Sequence, residues 1–159
     1  MIIREIQPKD AGTMADIVRN VILEVKIPTT GTAYQDKALE DLYTAYNGER
    51  KVYFVIEDQD VVVGGAGIAP LEGADKNTCE LQKMYFLPQI RGKGFGLKLI
   101  QDCLKAAKSM GYTHCYIETM DTMKAAQNLY KKVGFTTIDS PIGNTGHCSC
   151  EVWMLKALN

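Results

Sequence analysis

A mixed α/β fold, with helices flanking a largely antiparallel sheet of about seven strands, is what this 159-residue sequence predicts. Three observations carry that reading. Helical apolar stripes alternate with extended apolar runs along the whole chain. The middle holds consecutive strand-like runs with no helix between them. The element order is strand, two helices, three strands, helix, strand, helix, two strands, which is richer in antiparallel neighbours than a doubly wound sheet.

The first strand is read from "MIIREI". "KDAGTMADIVRNVILEV" follows, with Met14, Ile17, Val18, Val21 and Ile22 on one helical face. Pro28 and Gly31 in "KIPTTGTAYQD" then make a loop. In "ALEDLYTAY", Leu39, Leu42, Tyr43 and Tyr46 return at helical spacing. "KVYFVIED" and "VVVGGAGIAP", separated by Gln59 and Asp60, read as a hairpin. "TCELQKMYFLP" is a further strand ending at Pro88. "GLKLIQDCLKAAKSMG" places Leu97, Ile100, Leu104 and Ala107 on one helix face, with Gly111 as its stop. "YTHCYIET" reads as a strand. "TMKAAQNLYKKVG" reads as a helix with Ala126, Leu129, Tyr130 and Val133 inward. "FTTID" and "CSCEVWMLKAL" close the sheet around the loop "SPIGNTGH". With no repeat, linker or low-complexity tract, residues 1–159 are expected to form one domain.

Composition narrows the function. Apolar residues make up 46% and charged residues 23%, an ordinary globular balance. The net charge of -1 lacks the footprint of a dedicated nucleic-acid binder. No apolar run approaches a membrane span, and the N-terminus lacks a signal-peptide layout, so a cytoplasmic location without a membrane partner is expected. The cysteines, Cys79, Cys103, Cys115, Cys148 and Cys150, show no CxxC spacing, and reduced thiols are the default. "HCSC" at His147 to Cys150 reads as a strand of alternating small residues, without the second ligand pair of a structural zinc site, and no metal is expected.

The chemistry starts at Arg91-Gly92-Lys93-Gly94-Phe95-Gly96, between a strand and a helix. It does not supply the Walker pattern GxxxxGK[ST], and the dinucleotide pattern GxGxxG fails because Leu97 stands where its third glycine belongs. The remaining RxxGxG sits where the first amides of a helix are unpaired and its dipole is positive. Glycines there let an anion reach those amides without a Cβ in the way, and Arg91, Lys93 and Lys98 add positive charge. A pyrophosphate fits this pattern better than a bare turn does, and spacing alone leaves the ligand unnamed.

Here the sequence resembles the GNAT superfamily of acyl-CoA-dependent N-acetyltransferases. "ELQKMYFLPQIRGKGFGLKLI" is similar to that family's fourth strand and [RQ]xxGx[GA] loop. "AAQNLYKKVGF" is similar to its later helix with the A-x-x-L-Y-x-x-x-G-F signature. The resemblance implies acetyl-CoA as cosubstrate, its pyrophosphate held by the loop Arg91, Gly92, Lys93, Gly94, Phe95 and Gly96. It implies that the strand at Met84, Tyr85 and Phe86 pairs with the pantetheine arm, as an added strand would. It also implies a splayed parallel pair, with the cofactor lying between this strand and the one at Tyr112 to Thr119. In one place the sequence departs from the pattern. Met123 occupies the position where the family often carries a pantetheine-contacting asparagine.

Acetyl transfer to an amine needs a base, because an alkylammonium of pKa about 10 is no nucleophile at neutral pH. It also needs donors to the oxyanion, which strand N–H groups can supply, and an acid for the thiolate. By the resemblance, Tyr130 matches the family's tyrosine and is the expected acid, in contact with the cofactor sulfur. The base candidates are Glu80, then His147, with Glu118 as an orienting or surface carboxylate. The family's direct transfer implies that no cysteine serves as a nucleophile. "KIPTTGTAY", with Tyr34 and Tyr43 nearby, and "SPIGNTGHC" are the expected walls of the acceptor site. A small-molecule or amino-acid amine is the leading acceptor, a protein N-terminus or lysine the second. A non-catalytic acyl-CoA-binding module is the alternative function, and exposed sheet edges leave room for a homodimer.

Overall fold

The structure is a computed structural model describing residues 1–159. Its centre is a seven-stranded sheet in the order β1-β2-β3-β4-β5-β7-β6. The strands are β1 (Ile2–Glu5), β2 (Val52–Asp58), β3 (Val61–Pro70), β4 (Thr78–Phe86), β5 (His114–Thr119), β6 (Thr136–Ile138) and β7 (Val152–Ala157). All neighbours are antiparallel except β4 and β5. Helices α1 (Ala11–Glu24), α2 (Leu42–Tyr46), α3 (Phe95–Ser109) and α4 (Lys124–Lys132) flank the sheet. No helix is long and apolar enough to cross a membrane.

Two apolar clusters hold the layers together. One packs α1 and α2, through Met14, Val18, Ile22 and Leu42, against Tyr53 and Val55. The other packs α3, through Leu99, Ile100, Cys103 and Ala107, with Tyr130 of α4, against Ile56, Ala66 and Leu81. The predicted stripe of α1 is buried in full. In α3 the fully buried residues are Leu99, Ile100, Cys103 and Ala107, while Leu97 and Leu104 are half-buried at the edge of the stripe.

Some local readings need correction. "ALEDLYTAY" is not one helix: a 3-10 turn at Lys37–Glu40 precedes α2, and Asp41 between them caps α2 through Thr44 N at 3.1 Å. "CSC" is not strand, since β7 begins only at Val152. Ser149 instead gives its amide to Gly31 O (3.1 Å) and its hydroxyl to Thr30 O (2.8 Å). That pairing ties the last loop to the loop after α1 and takes it out of the sheet. His147 therefore does not open the last strand.

Two irregularities in β4 shape the site. Its parallel pairing with β5 runs from Thr78↔His114 to Glu80↔Tyr116 and stops, while β5 goes on pairing with β7 to Thr119. From Leu81 onward, one edge of β4 faces a gap. On its other edge, Gly67 lies opposite Gln82 and Gly65 opposite Tyr85, so β4 carries one residue more than β3 there. The bulge puts Lys83 at φ 48, and the Tyr53 hydroxyl donates to its carbonyl at 2.7 Å.

Candidate active site

The glycine loop sits where β4 hands over to α3, and its glycines do different work. Gly92 (φ 73) and Gly94 (φ 83) adopt left-handed backbone with open space where a Cβ would be, so conformation requires them. Gly96 is required by proximity: a Cβ there would lie 3.2 Å from Leu129 Cδ2 and 3.4 Å from Phe86 Cε2. The amides from Gly92 to Leu97 donate to no backbone carbonyl, leaving an unpaired nest at the start of a 15-residue helix. Arg91 stands apart. Its amide donates to Pro88 O (3.2 Å), and its guanidinium donates to Phe86 O and, at 2.8 Å, to both oxygens of Glu24. The guanidinium thus braces the loop against the end of α1, while Lys93 and Lys98 flank the nest.

Three hollows join end to end. An apolar groove of about 390 Å³ runs from the loop past Met84, Phe86, Met123 and Leu129 to Tyr130. The β4–β5 gap, about 60 Å³, continues it between Leu81–Tyr85 and Ile117–Met120. A wide cavity of about 720 Å³, lined mostly by polar and charged residues, then opens between α2, the end of β3, the first two thirds of β4 and the last loop. Groove and gap share Met84, Tyr85, Met123 and Tyr130. Gap and cavity share Glu80, Gln82, Lys83 and His147. Met123, where the family pattern often has asparagine, lines the apolar groove and offers no side-chain hydrogen-bond donor.

The sequence-derived site residues gather at this passage. Tyr130 is 5% exposed, and burial, its only perturbation, pushes its hydroxyl well above the usual phenol range. Its ring packs edge-on against Phe135 at 6.0 Å. Glu80 is also 5% exposed; burial raises its carboxyl above the ordinary range, opposed by a hydrogen bond from Gln82 Nε2 at 2.6 Å. Gln82 is oriented in turn by the Tyr46 hydroxyl, which donates to its Oε1 at 2.6 Å. Glu118 accepts the hydroxyls of Tyr116 and Thr145, each at 2.6 Å. Tyr34 and Tyr43, expected at the wall, pack instead against the α1–α2 core, and Tyr46 lines the cavity.

Sequence reasoning missed four residues here. Asp36 meets His147 Nε2 at 2.8 Å and Lys83 Nζ at 2.8 Å, an ion pair in which the Lys83 side chain is 5% exposed. Burial pulls His147 down, but the hydrogen bond and charge of Asp36 outweigh it and leave the imidazole above its ordinary value. Cys150 sits within 4.8 Å of both Glu118 and His147, and burial followed by the nearby carboxylates pushes its thiol up to about 12. Gln127, buried in α4, donates to Met120 O (2.9 Å) and Asp121 O (3.1 Å), which fixes the end of β5. Only Gln127 had a local signal, a polar residue three before Tyr130 near the inward stripe.

Comparison with known proteins agrees with this geometry. Residues 19–135 match the model of the Acetyltransferase (GNAT) family. The chain is 42% identical over 158 residues to the uncharacterized N-acetyltransferase YjgM of Escherichia coli K12, covering 99% of this chain and 95% of that protein. A GNAT-family acetyltransferase of Staphylococcus aureus Mu50 superposes with a TM-score of 0.87 at 21% identity, over 99% of both chains. So does YncA, a putative acetyltransferase of Salmonella typhimurium solved with acetyl-CoA, at a TM-score of 0.78 and 22% identity, over 100% of this chain and 94% of that one. The seven-stranded sheet with its single parallel pair is the fold of these neighbours. With its loop, its gap and its sequence all pointing the same way, the chain belongs to the GNAT family of acetyltransferases and is an acyltransferase.

Proposed function

We propose that residues 1–159 form one N-acetyltransferase domain that moves an acetyl group from acetyl-CoA to the primary amine of a small polar molecule or amino acid. The observation that carries this reading is the continuity of groove, gap and cavity, with Tyr130, Glu80 and His147 at their junctions. Donor and acceptor can enter from opposite ends and meet without an acyl-enzyme.

In this reading, the free amides from Gly92 to Gly96 hold the cofactor's pyrophosphate, with charge from Lys93, as the dipole of α3 favours. Met84, Tyr85 and Phe86 present the unpaired edge of β4 to the pantetheine arm, which adds to the sheet as a strand. When bound, the cofactor supplies a thioester whose carbonyl carbon the acceptor attacks. Amides of the β4 edge stabilise the tetrahedral oxyanion. Tyr130 donates its proton to the departing thiolate; burial keeps its hydroxyl protonated at neutral pH. Glu80 and His147 face the amine's side, where the proton must be removed. The polar and charged residues around the wide cavity, Asp36, Glu72, Glu80 and Lys83 among them, support a small acceptor with hydrophilic groups.

The test is a panel of alkylamines, amino acids and peptides scored by thiol release from acetyl-CoA. A small amine turned over well above the peptides supports the reading. Stabilisation of the protein by acetyl-CoA without release for any amine would overturn catalysis in favour of a binding module.

A further inference from the structure

We infer that Asp36 is a positioning residue that holds His147 as the base taking the acceptor's proton; this rests on the acetyltransferase reading above. The two residues lie 111 positions apart, yet His147 Nε2 sits 2.8 Å from Asp36 Oδ1 and 3.0 Å from Oδ2. A carboxylate only accepts, so this contact assigns the ring proton to Nε2 and leaves the lone pair of a neutral imidazole on Nδ1. The side-chain hydrogen bonds of His147 all run through Nε2, so Nδ1 is free for a substrate proton. His147 also lines both the gap that holds Tyr130 and the wide cavity, where an acceptor nitrogen must lie.

Asp36 is itself clamped. Lys83 Nζ holds its Oδ2 at 2.8 Å, and Lys83 is aimed across the site by the β4 bulge. Swinging Asp36 away would strand a buried ammonium, so the carboxylate cannot follow the substrate and serves orientation. The other side of His147 is fixed through its own amide, which donates to Thr145 Oγ1 (3.1 Å), while that hydroxyl donates to Glu118 (2.6 Å). Glu80, by contrast, is committed to Gln82.

The step balances simply. His147 Nδ1 takes a proton from the acceptor ammonium, and the freed nitrogen pair forms the bond to the thioester carbon. The C–S bond breaks as the oxyanion collapses, and the thiolate receives the Tyr130 proton. The imidazolium gives its proton to solvent, the acylated nitrogen loses its second proton to solvent as it becomes the amide, and Tyr130 is reprotonated from solvent.

His147 must be neutral to act, so activity rises with pH through its titration. The groups facing it are Asp36 from the loop after α1, Glu80 and Lys83 from β4, Glu118 from β5, and Cys150 from its own loop. Asp36 and Glu80 raise its pKa and Lys83 lowers it. Removing the Asp36 charge therefore moves the acid limb of activity to lower pH while making the base weaker and less well aimed.

The experiment pairs imidazole ¹⁵N NMR titration of the full chain with the pH profile of kcat/KM, using the amine from the panel with the fastest thiol release. Histidines number only two, His114 and His147, so Asp36→Asn and His114→Gln make the spectrum assignable. The inference expects a wild-type acid limb that coincides with the His147 titration. In Asp36→Asn, both should move to lower pH together, and the plateau should fall about tenfold or more. Asp36→Glu should recover part of it, and His147→Gln should lose about a hundredfold or more. A limb that stays put in Asp36→Asn while the plateau falls makes Asp36 merely structural and overturns the inference. A wild-type limb that ignores the His147 titration does so too, even if Asp36→Asn does not fold. If no amine in the panel is turned over, it is the acetyltransferase reading that fails.

Discussion

Replacing Tyr130 by phenylalanine separates its packing in the core from the acid role proposed for it. The ring fills the core beside Phe135, and phenylalanine keeps that packing. The hydroxyl contributes little to the fold, since burial alone perturbs it and no protein group holds it. Its removal should change stability by less than about 1 kcal/mol. For a chain of this length that is a Tm shift of at most about 4 °C. In catalysis, a positioned acid contributes about 10²–10⁴ in rate, or about 3–5 kcal/mol of barrier. Thiol release should therefore fall about a hundredfold or more in kcat, with acetyl-CoA affinity nearly unchanged. Because burial raises the Tyr130 pKa, the wild-type rate should also show no alkaline limb from this group at physiological pH. Thermal melts and steady-state thiol release decide the matter. A variant with wild-type kcat would refute the acid role. Tm and rate falling together would reduce Tyr130 to a core residue.

The glycine loop offers a second test. Gly94→Ala forces a Cβ into left-handed backbone at φ 83 and should cost about 1–2 kcal/mol in urea melts. Gly96→Ala meets Leu129 at 3.2 Å but gains about 1 kcal/mol of helix propensity, so its net change should be smaller; the reverse order would contradict the assignment. Asp10, 3% exposed, accepts two hydrogen bonds from Arg4 and one from the Gln7 amide, so Asp10→Asn should cost about 2 kcal/mol at pH 7. Burial pushes the Asp10 carboxyl up, but Arg4 and Gln7 outweigh it and hold it below its ordinary value. Its stabilisation is therefore present above the unfolded pKa and lost as pH falls through the folded one. Denaturant melts at pH 7 and pH 3 should show the gap between wild type and variant closing in acid.

Local chemistry was enough to determine much of this protein. Helical spacing in "MADIVRNVI" and "LKLIQDCLKAA" is a property of consecutive residues; the first face is buried in full, and the second is buried at Ile100 and Ala107, with Leu97 and Leu104 at its edge. The glycine loop was legible as a run of unpaired amides because such a nest is made by neighbouring residues. Its link to "AAQNLYKKVGF" was legible because both are contiguous motifs. Tertiary structure decided what depends on pairing between distant segments. The register of β4 places its bulge at Lys83, and that bulge carries Lys83 across to Asp36. His147 looked like the start of a strand because the residues after it alternate. Its loop instead pairs with residues 30–31, which brings it to Asp36. No local pattern encodes such a meeting. Alternation and periodicity report which way a side chain faces from its own element, while the partner it meets is set by how far the sheet splays and where its strands slip.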